Sequence, residues 1–350
     1  MMKTIFIVPI EPIDQRYTEQ WYTNIPKILR EEITKRKLNY IVHTIDGLQL
    51  NEGTTKGAFL DFATTNTYKS KQVELISRLF NNNLVKPGDK FLVTDAWNFA
   101  ITAIKYMSEL LNVPVEIHSI WHAGNYDPSD ILGMKMSTNW ASNQERSWYY
   151  ASDYNYFATY FHLNMFVKNL CVISSHAYRS GQPHTPIIEQ LTPLKQNLKS
   201  NMIMFPHRLN EDKQPEIARD LIRYHDIFLT QEQNLSKESY YNHLGKARAV
   251  FSCSLHENLG ISMMEGTLAG AIPIVPDRCS YSEMYLDVFK YPSEWTTSFD
   301  NYQKYKNNLI KFISNVINNY DFLYDDMEKQ RQILIDDYLT PKVMINHLLS

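Results

Sequence analysis

The sequence predicts an α/β protein of two parallel-sheet domains of similar size, ending in a helical tail. Three observations carry that expectation. Short β-branched runs alternate with longer amphipathic segments. The alternation stops at a polar stretch, residues 195–201, and then starts again. The chain also has 350 residues, more than the ~250–300 at which a single hydrophobic core stops growing.

In the first half, residues 4–8, 39–45, 90–94 and 113–120 read as strands. Between them, residues 18–37, 71–82 and 97–111 carry apolar side chains at three- and four-residue spacing and read as helices. Lys86-Pro87-Gly88-Asp89 is a turn by composition. Strand–helix–strand alternation implies a parallel sheet covered on both faces, with right-handed crossovers. The N-terminal apolar run reads as the buried first strand and not as an export signal, since it ends at Glu11 without a small-residue cleavage site. In the second half the strands are expected at residues 202–205, 226–230, 249–252 and 271–275, with helices at 215–223, 237–247 and 261–269. The expected domains are 1–198 and 199–335, with a last helix in 336–350, begun near Pro341, that crosses back to the first.

Composition narrows the function classes. Hydrophobic residues at 44% and charged residues at 21% exclude long disorder. A net charge of -3 excludes a strongly basic nucleic-acid coat. No run of ~18 apolar residues occurs, so no membrane span is expected. Cys171 and Cys253 lie in apolar runs and, with Cys279, make three cysteines, an odd number. Cys171 and Cys253 read as reduced core thiols of a cytoplasmic protein. No His/Asp/Cys cluster has metal-ligand spacing, so no metal is expected.

Residues 249–283, AVFSCSLHENLGISMMEGTLAGAIPIVPDRCSYSE, carry the clearest chemistry. A buried strand leads to a polar loop holding Glu257, and Gly260 opens an apolar helix that contains Glu265. A helix N-terminus after a glycine suits an anion such as a pyrophosphate, through the amides that begin with Ile261. A glycosidase reading of the two carboxylates is disfavoured. A fully helical interval would separate them by ~12 Å, whereas hydrolases need ~5–9.5 Å.

This segment resembles the nucleotide-sugar site of family-4 retaining glycosyltransferases of the GT-B fold, which consists of two facing Rossmann-like domains. In that family two glutamates are separated by seven residues, with a glycine between and a glycine–proline strand after. Glu257, Gly260, Glu265, Gly270 and Pro273 match it. The resemblance implies that Glu257 meets donor-sugar hydroxyls, the amides after Gly260 the diphosphate, and Glu265 the ribose. Upstream, Pro206-His207-Arg208-Leu209-Asn210-Glu211-Asp212-Lys213 is similar to the family's loop that holds the diphosphate with an Arg and a Lys, here Arg208 and Lys213. His207 stands where the family has glycine.

For the acceptor half, the family often sends a histidine to the donor sugar, and His122 is the candidate. Asp127 or Asp130 would serve the acceptor hydroxyl, or else cap the following helix. His162 reads as a satisfied buried histidine, and Asp95 as a strand-end cap. The first loop, Pro9 to Tyr17, lacks the glycines of many relatives and offers Gln15, Arg16 and Tyr17 to an acceptor. Its style is similar to phage-encoded glycosyltransferases that decorate 5-hydroxymethylcytosine in viral DNA. Residues 1–195 hold 19 Lys+Arg against 18 Asp+Glu, and the rest 16 against 20. The acceptor half is therefore the less acidic. Its one basic cluster is Lys27, Arg30, Lys35, Arg36 and Lys37, read as a solvated helix face. The resemblance as a whole implies a glycosyltransferase that uses a UDP-sugar, with glucose or arabinose the favoured sugars. The similarity to the phage enzymes further implies 5-hydroxymethylcytosine in double-stranded phage DNA as the acceptor, modified in the host cytoplasm. A glycan, lipid or protein acceptor, a silent nucleotide-sugar-binding subunit and an epimerase of the same fold remain alternatives.

Overall fold

The computed structural model describes residues 2–14, 16–50 and 61–350. The chain forms two compact units, Met1–His184 with Pro341–Ser350, and Thr185–Thr340.

The first unit is built on six strands: β1 (Lys3–Val8), β2 (Tyr40–Thr44), β3 (Lys90–Val93), β4 (Glu116–Ile120), β5 (Tyr154–Phe157) and β6 (Ala177–Arg179). Their order is β2-β1-β3-β4-β5-β6, and every pairing is parallel. Strand side chains alternate between faces. Phe6, Val8, Phe91 and Val93 join one core with Trp121, Trp148 and Phe166, while Ile5, Ile7 and Leu92 join another with Trp21, Leu29 and Leu348. Both faces are thus covered, as an all-parallel sheet requires. The last helix, Lys342–Leu348, is tied to this unit by Lys90, a buried strand lysine. Its ammonium donates to the carbonyls of His347 (3.1 Å) and Ser350 (3.2 Å) and pairs with Glu116 (3.0 Å).

β4 starts at Glu116, three residues later than expected. Val113 closes the preceding helix through its N–H to the Ser108 carbonyl, and Pro114 has no N–H for a ladder. The second helix starts at Thr64, earlier than expected, because Asp61 accepts from the N–H groups of Ala63 (3.0 Å) and Thr64 (2.9 Å) and caps a polar first turn. Cys171 is exposed and not a core thiol, since it is the left-handed cap just past Leu170, the last buried residue of helix Tyr160–Leu170; Cys253 is buried.

The second unit holds β7 (Ser200–Phe205), β8 (Ile227–Leu229), β9 (Ala247–Phe251), β10 (Ile272–Pro276) and β11 (Lys290–Tyr291), in the order β11-β10-β9-β7-β8, again all parallel. Ile203, Phe205, Phe251 and Ile274 pack under helix Phe299–Asn318 through Tyr302, Leu309 and Ile313. On the other face helix Ile261–Leu268 lies so close that a Cβ on Gly266 would come within 2.3 Å of Val250. Only glycine permits that approach.

Each sheet has a switch point. The chain leaves β1 for β2 on one side while β3 lies on the other, and it leaves β7 for β8 while β9 lies opposite. Loops after such strand pairs diverge and leave a crevice at the strands' carboxyl ends, where open parallel sheets bind ligands. Among the described residues no helix is long and apolar enough to cross a membrane.

Candidate functional site

In the second unit the loops after β7 and β9 bring the expected donor residues together. Lys213 is buried, and its ammonium meets Glu257 Oε1 at 2.8 Å, Asp212 Oδ2 at 3.0 Å, Ser254 Oγ at 2.9 Å and the His256 carbonyl at 2.7 Å. Burial raises the Glu257 carboxyl, but Lys213 and then His207 outweigh it and hold it below the usual carboxylate range. Burial lowers Lys213, and Glu257 with Asp212 more than reverses that. Both groups therefore stay charged near neutrality.

Gly260 caps helix Ile261–Leu268 with φ 72°. A side chain there would be strained by the backbone and would come within 2.7 Å of the Tyr281 ring. The first amides of a helix lack intrahelical acceptors, and here they belong to Ile261 and Ser262. Glu265, one turn on, accepts from the hydroxyls of Tyr240 (3.0 Å) and Tyr241 (3.3 Å), both on helix Lys237–Lys246. Burial pushes Glu265 up to about 6, against the pull of Tyr240, Lys237 and Tyr241. Arg208 is exposed on the same loop as Lys213.

In the first unit, the loops after β1, β3 and β4 gather a second cluster. His122 Nε2 donates to the Thr94 carbonyl at 2.7 Å, so its Nδ1 is the acceptor that faces the Tyr17 hydroxyl at 3.3 Å. Trp21 lies 4.9 Å from the His122 ring and donates its indole N–H to His184 Nδ1 at 3.4 Å. Burial keeps both histidines neutral, His184 down to about 3. Asp95 forms a buried pair with Lys69 at 2.7 Å, which, helped by His122, outweighs burial and holds the carboxyl low.

The loop from His122 to Asp130 is held by a group that the sequence reading did not single out. Glu145 accepts from the Asn125 N–H (2.5 Å), the Trp97 indole (3.0 Å) and the Tyr126 N–H (3.1 Å), and burial pushes it up to about 7. Asp127 is buried and accepts from the Ser129 N–H at 3.0 Å, and Asp130 caps helix Ile131–Lys135 through the Leu132 N–H at 2.9 Å. His162 is buried against the Tyr126 hydroxyl at 2.5 Å. Arg16 precedes helix Tyr17–Arg36 in extended backbone, and Gln15 lies outside the described residues.

His122, Tyr17 and Asp95 are thus one neighbourhood, whereas Asp127 and Asp130 serve their own loop's backbone. Lys69, Trp21, His184, Glu145, Tyr240 and Tyr241 entered no sequence motif. The signal available for Tyr240 and Tyr241 was a tyrosine pair at the start of a helix, which needs a spatial partner to be meaningful. The basic cluster is largely paired within its own helix, Lys27 with Glu31 at 3.9 Å, and Lys35 and Arg36 with Glu32 at 3.3 and 2.9 Å. Among the described residues no group of three or more His, Cys, Asp or Glu side chains is placed to hold a metal.

Two all-parallel sheets, each with polar residues at its switch point, belong to the GT-B class of architecture. Solved structures agree. Sucrose-phosphate synthase from Thermosynechococcus elongatus is similar with TM-score 0.63 and 10% identity, covering 99% of this chain and 97% of that one. The N-terminal domain of Candida albicans trehalose-6-phosphate phosphatase gives 0.60 and 11%, over 100% and 97%. A point mutant of S. aureus TarM, in complex with UDP and α-GlcNAc-glycerol among others, gives 0.56 and 10%, over 99% of both chains. At such identities these likenesses establish the fold, and the fold is GT-B. No protein-family model matches the chain, and no curated protein sequence matches it.

Proposed function

We propose that the chain is a retaining glycosyltransferase that moves the sugar of a UDP-sugar to a hydroxyl acceptor, and that this acceptor is 5-hydroxymethylcytosine in DNA. The observation that supports the donor half is the meeting of Lys213, Glu257 and the Gly260-capped helix at the switch point of the second sheet. TarM, similar in fold, was crystallised with UDP. Lys213 and Arg208 neutralise the diphosphate, the amides of Ile261 and Ser262 donate to it, Glu265 accepts from the ribose diol, and Glu257 accepts from sugar hydroxyls. The bond from the anomeric carbon to the diphosphate breaks with its electron pair going to phosphate. The acceptor oxygen then bonds to that carbon from the same face, and its proton passes to the departing diphosphate. Cations and amides already aimed at the developing charge lower the barrier.

The DNA acceptor rests on the first loop's resemblance and on the near-neutral charge of residues 1–195. A base must be extruded at a cost of a few kcal/mol, repaid by stacking and phosphate contacts. The pairing of Lys27, Lys35 and Arg36 with glutamates favours a second reading, a glycan, lipid or protein acceptor. Hydroxymethylated duplex DNA, incubated with UDP-glucose or UDP-arabinose and digested to nucleosides for mass spectrometry, separates them. A hexose or pentose mass gain supports the DNA acceptor. Donor turnover without DNA mass gain moves the assignment to the second reading, and no turnover of any UDP-sugar defeats both.

A further inference from the structure

His207 is the one departure from the resembled diphosphate loop, and it lies inside the site. It is 3% exposed, its ring sits edge-on to Phe205 at 5.1 Å, and its Nδ1 is 3.7 Å from Glu257 Oε1. That is the same carboxylate oxygen that Lys213 holds at 2.8 Å. The distance from His207 is contact and not a hydrogen bond.

Lys213 is oversubscribed. An ammonium has three N–H donors, and four acceptors already lie within 3.0 Å of it. A diphosphate that engages Lys213 therefore has to draw it away from one of them. If Lys213 turns from Glu257, a buried carboxylate loses its cation, which is costly unless another donor takes its place. His207, whose Nδ1 already lies 3.7 Å from that carboxylate, is placed to do so. Burial lowers it to about 4 against the opposing pull of Glu257, so the ring is neutral at pH 7 with one N–H. A proton on Nδ1 faces the carboxylate favourably, whereas a lone pair there faces it unfavourably. A closer approach of about 0.5–1 Å makes the hydrogen bond.

Resting on the donor-site reading, we propose that His207 is a positioning residue that takes over Glu257 when a nucleoside diphosphate engages Lys213. Glycine at this position, as in the resembled family, offers no such partner. The role depends on the Glu257 charge and on the diphosphate, and a purely packing role depends on neither.

Calorimetric titration with UDP and with uridine tests it, using wild type, His207→Phe, His207→Asn, Glu257→Gln and the His207→Phe/Glu257→Gln double variant. The expected result is that His207→Phe weakens UDP by about ten- to hundredfold and leaves uridine within about twofold. His207→Asn, which keeps an N–H near the Nδ1 position, restores most of the UDP affinity. In the Glu257→Gln background, His207→Phe changes UDP affinity by less than about twofold. An equal loss in both backgrounds, an equal loss for uridine, or no loss at all overturns the proposal while the donor-site reading stands. A wild-type chain that does not bind UDP overturns both.

Discussion

Replacing Lys213 with methionine isolates the charge at the centre of the proposed donor site, because methionine fills similar space without the ammonium. The side chains of Lys213 and Glu257 are 9% and 16% exposed. Removing one partner of a buried pair leaves an uncompensated charge, at about 3–5 kcal/mol. Asp212 is 41% exposed and recovers its hydration, and His207 remains beside Glu257, so the lower end, about 3 kcal/mol, is expected. For a unit of this size that corresponds to a fall in Tm of about 6–12 °C. The double variant Lys213→Met/Glu257→Gln removes the stranded charge and regains most of the loss.

The pH dependence follows from the direction of the shift. Glu257 is held below its ordinary value in the folded chain, so its stabilisation is present above the unfolded pKa of about 4.3 and is lost as pH falls through the lower folded value. In Lys213→Met the balance tips to burial, and the folded pKa moves upward. The stability gap between wild type and Lys213→Met is therefore widest near pH 7 and narrows as pH falls below about 5. Scanning calorimetry at pH 7.0 and 4.5 on all three proteins measures it. A gap unchanged by pH, or a double variant no more stable than Lys213→Met, refutes the reasoning.

Three further outcomes are expected. Glu265, raised to about 6, loses its full acceptor capacity as it protonates, so UDP-glucose affinity should weaken as pH drops through that value. Tyr240→Phe, which removes a 3.0 Å hydrogen bond to the carboxylate, should move the midpoint up by about one pH unit in calorimetric titrations. Gly260→Ala meets both the positive φ and the Tyr281 ring and should lower stability by at least about 1–2 kcal/mol, read by urea unfolding. It should weaken UDP binding more than uridine binding, since it shifts the amides proposed to meet the diphosphate. Glu145→Gln puts an amide donor against N–H groups that now find carboxylate oxygens and should cost about 1–3 kcal/mol, with hydrogen exchange quickening at Asn125 and Tyr126.

The strands legible from the sequence are those that carry buried β-branched and aromatic runs on both faces, such as β1, β3, β9 and β10. β5 and β6 were not. β5 reads Tyr-Asn-Tyr-Phe, and its Asn155 is a buried polar group that accepts from the Trp121 indole at 2.8 Å and donates to the Tyr149 carbonyl at 3.0 Å. A strand whose interior is satisfied by side-chain hydrogen bonds does not look like a buried apolar run. β6 has three residues, too few to show any period. The expectation of a helix at 71–82 left out the first turns of the observed one for a related reason, since Thr64 to Ser70 is polar and its capping Asp61 lies three residues before Thr64.

Legibility of the two sites differs for a topological reason. Glu257, Gly260 and Glu265 belong to one loop and the helix that follows it, so their relation survives in the linear sequence. The cluster around His122 is assembled from Tyr17 and Trp21 on one helix and from Asp95 and His184 on two other loops, and no local pattern announces it. The Lys213–Glu257 pair lies between these extremes. Its partners are distant in sequence, yet they issue from β7 and β9, which are neighbours only because β8 lies on the far side of β7. The loops after β7 and β9 therefore converge on one crevice, where the glutamate that reads as the start of a local motif is in physical terms one end of an ion pair. His207 enters the same crevice from the β7 loop, and its effect on ligand binding has to be judged with Lys213 and Glu257 as a unit of three charges and donors. Substituting these residues one at a time will overstate each contribution, because every single change strands a buried partner.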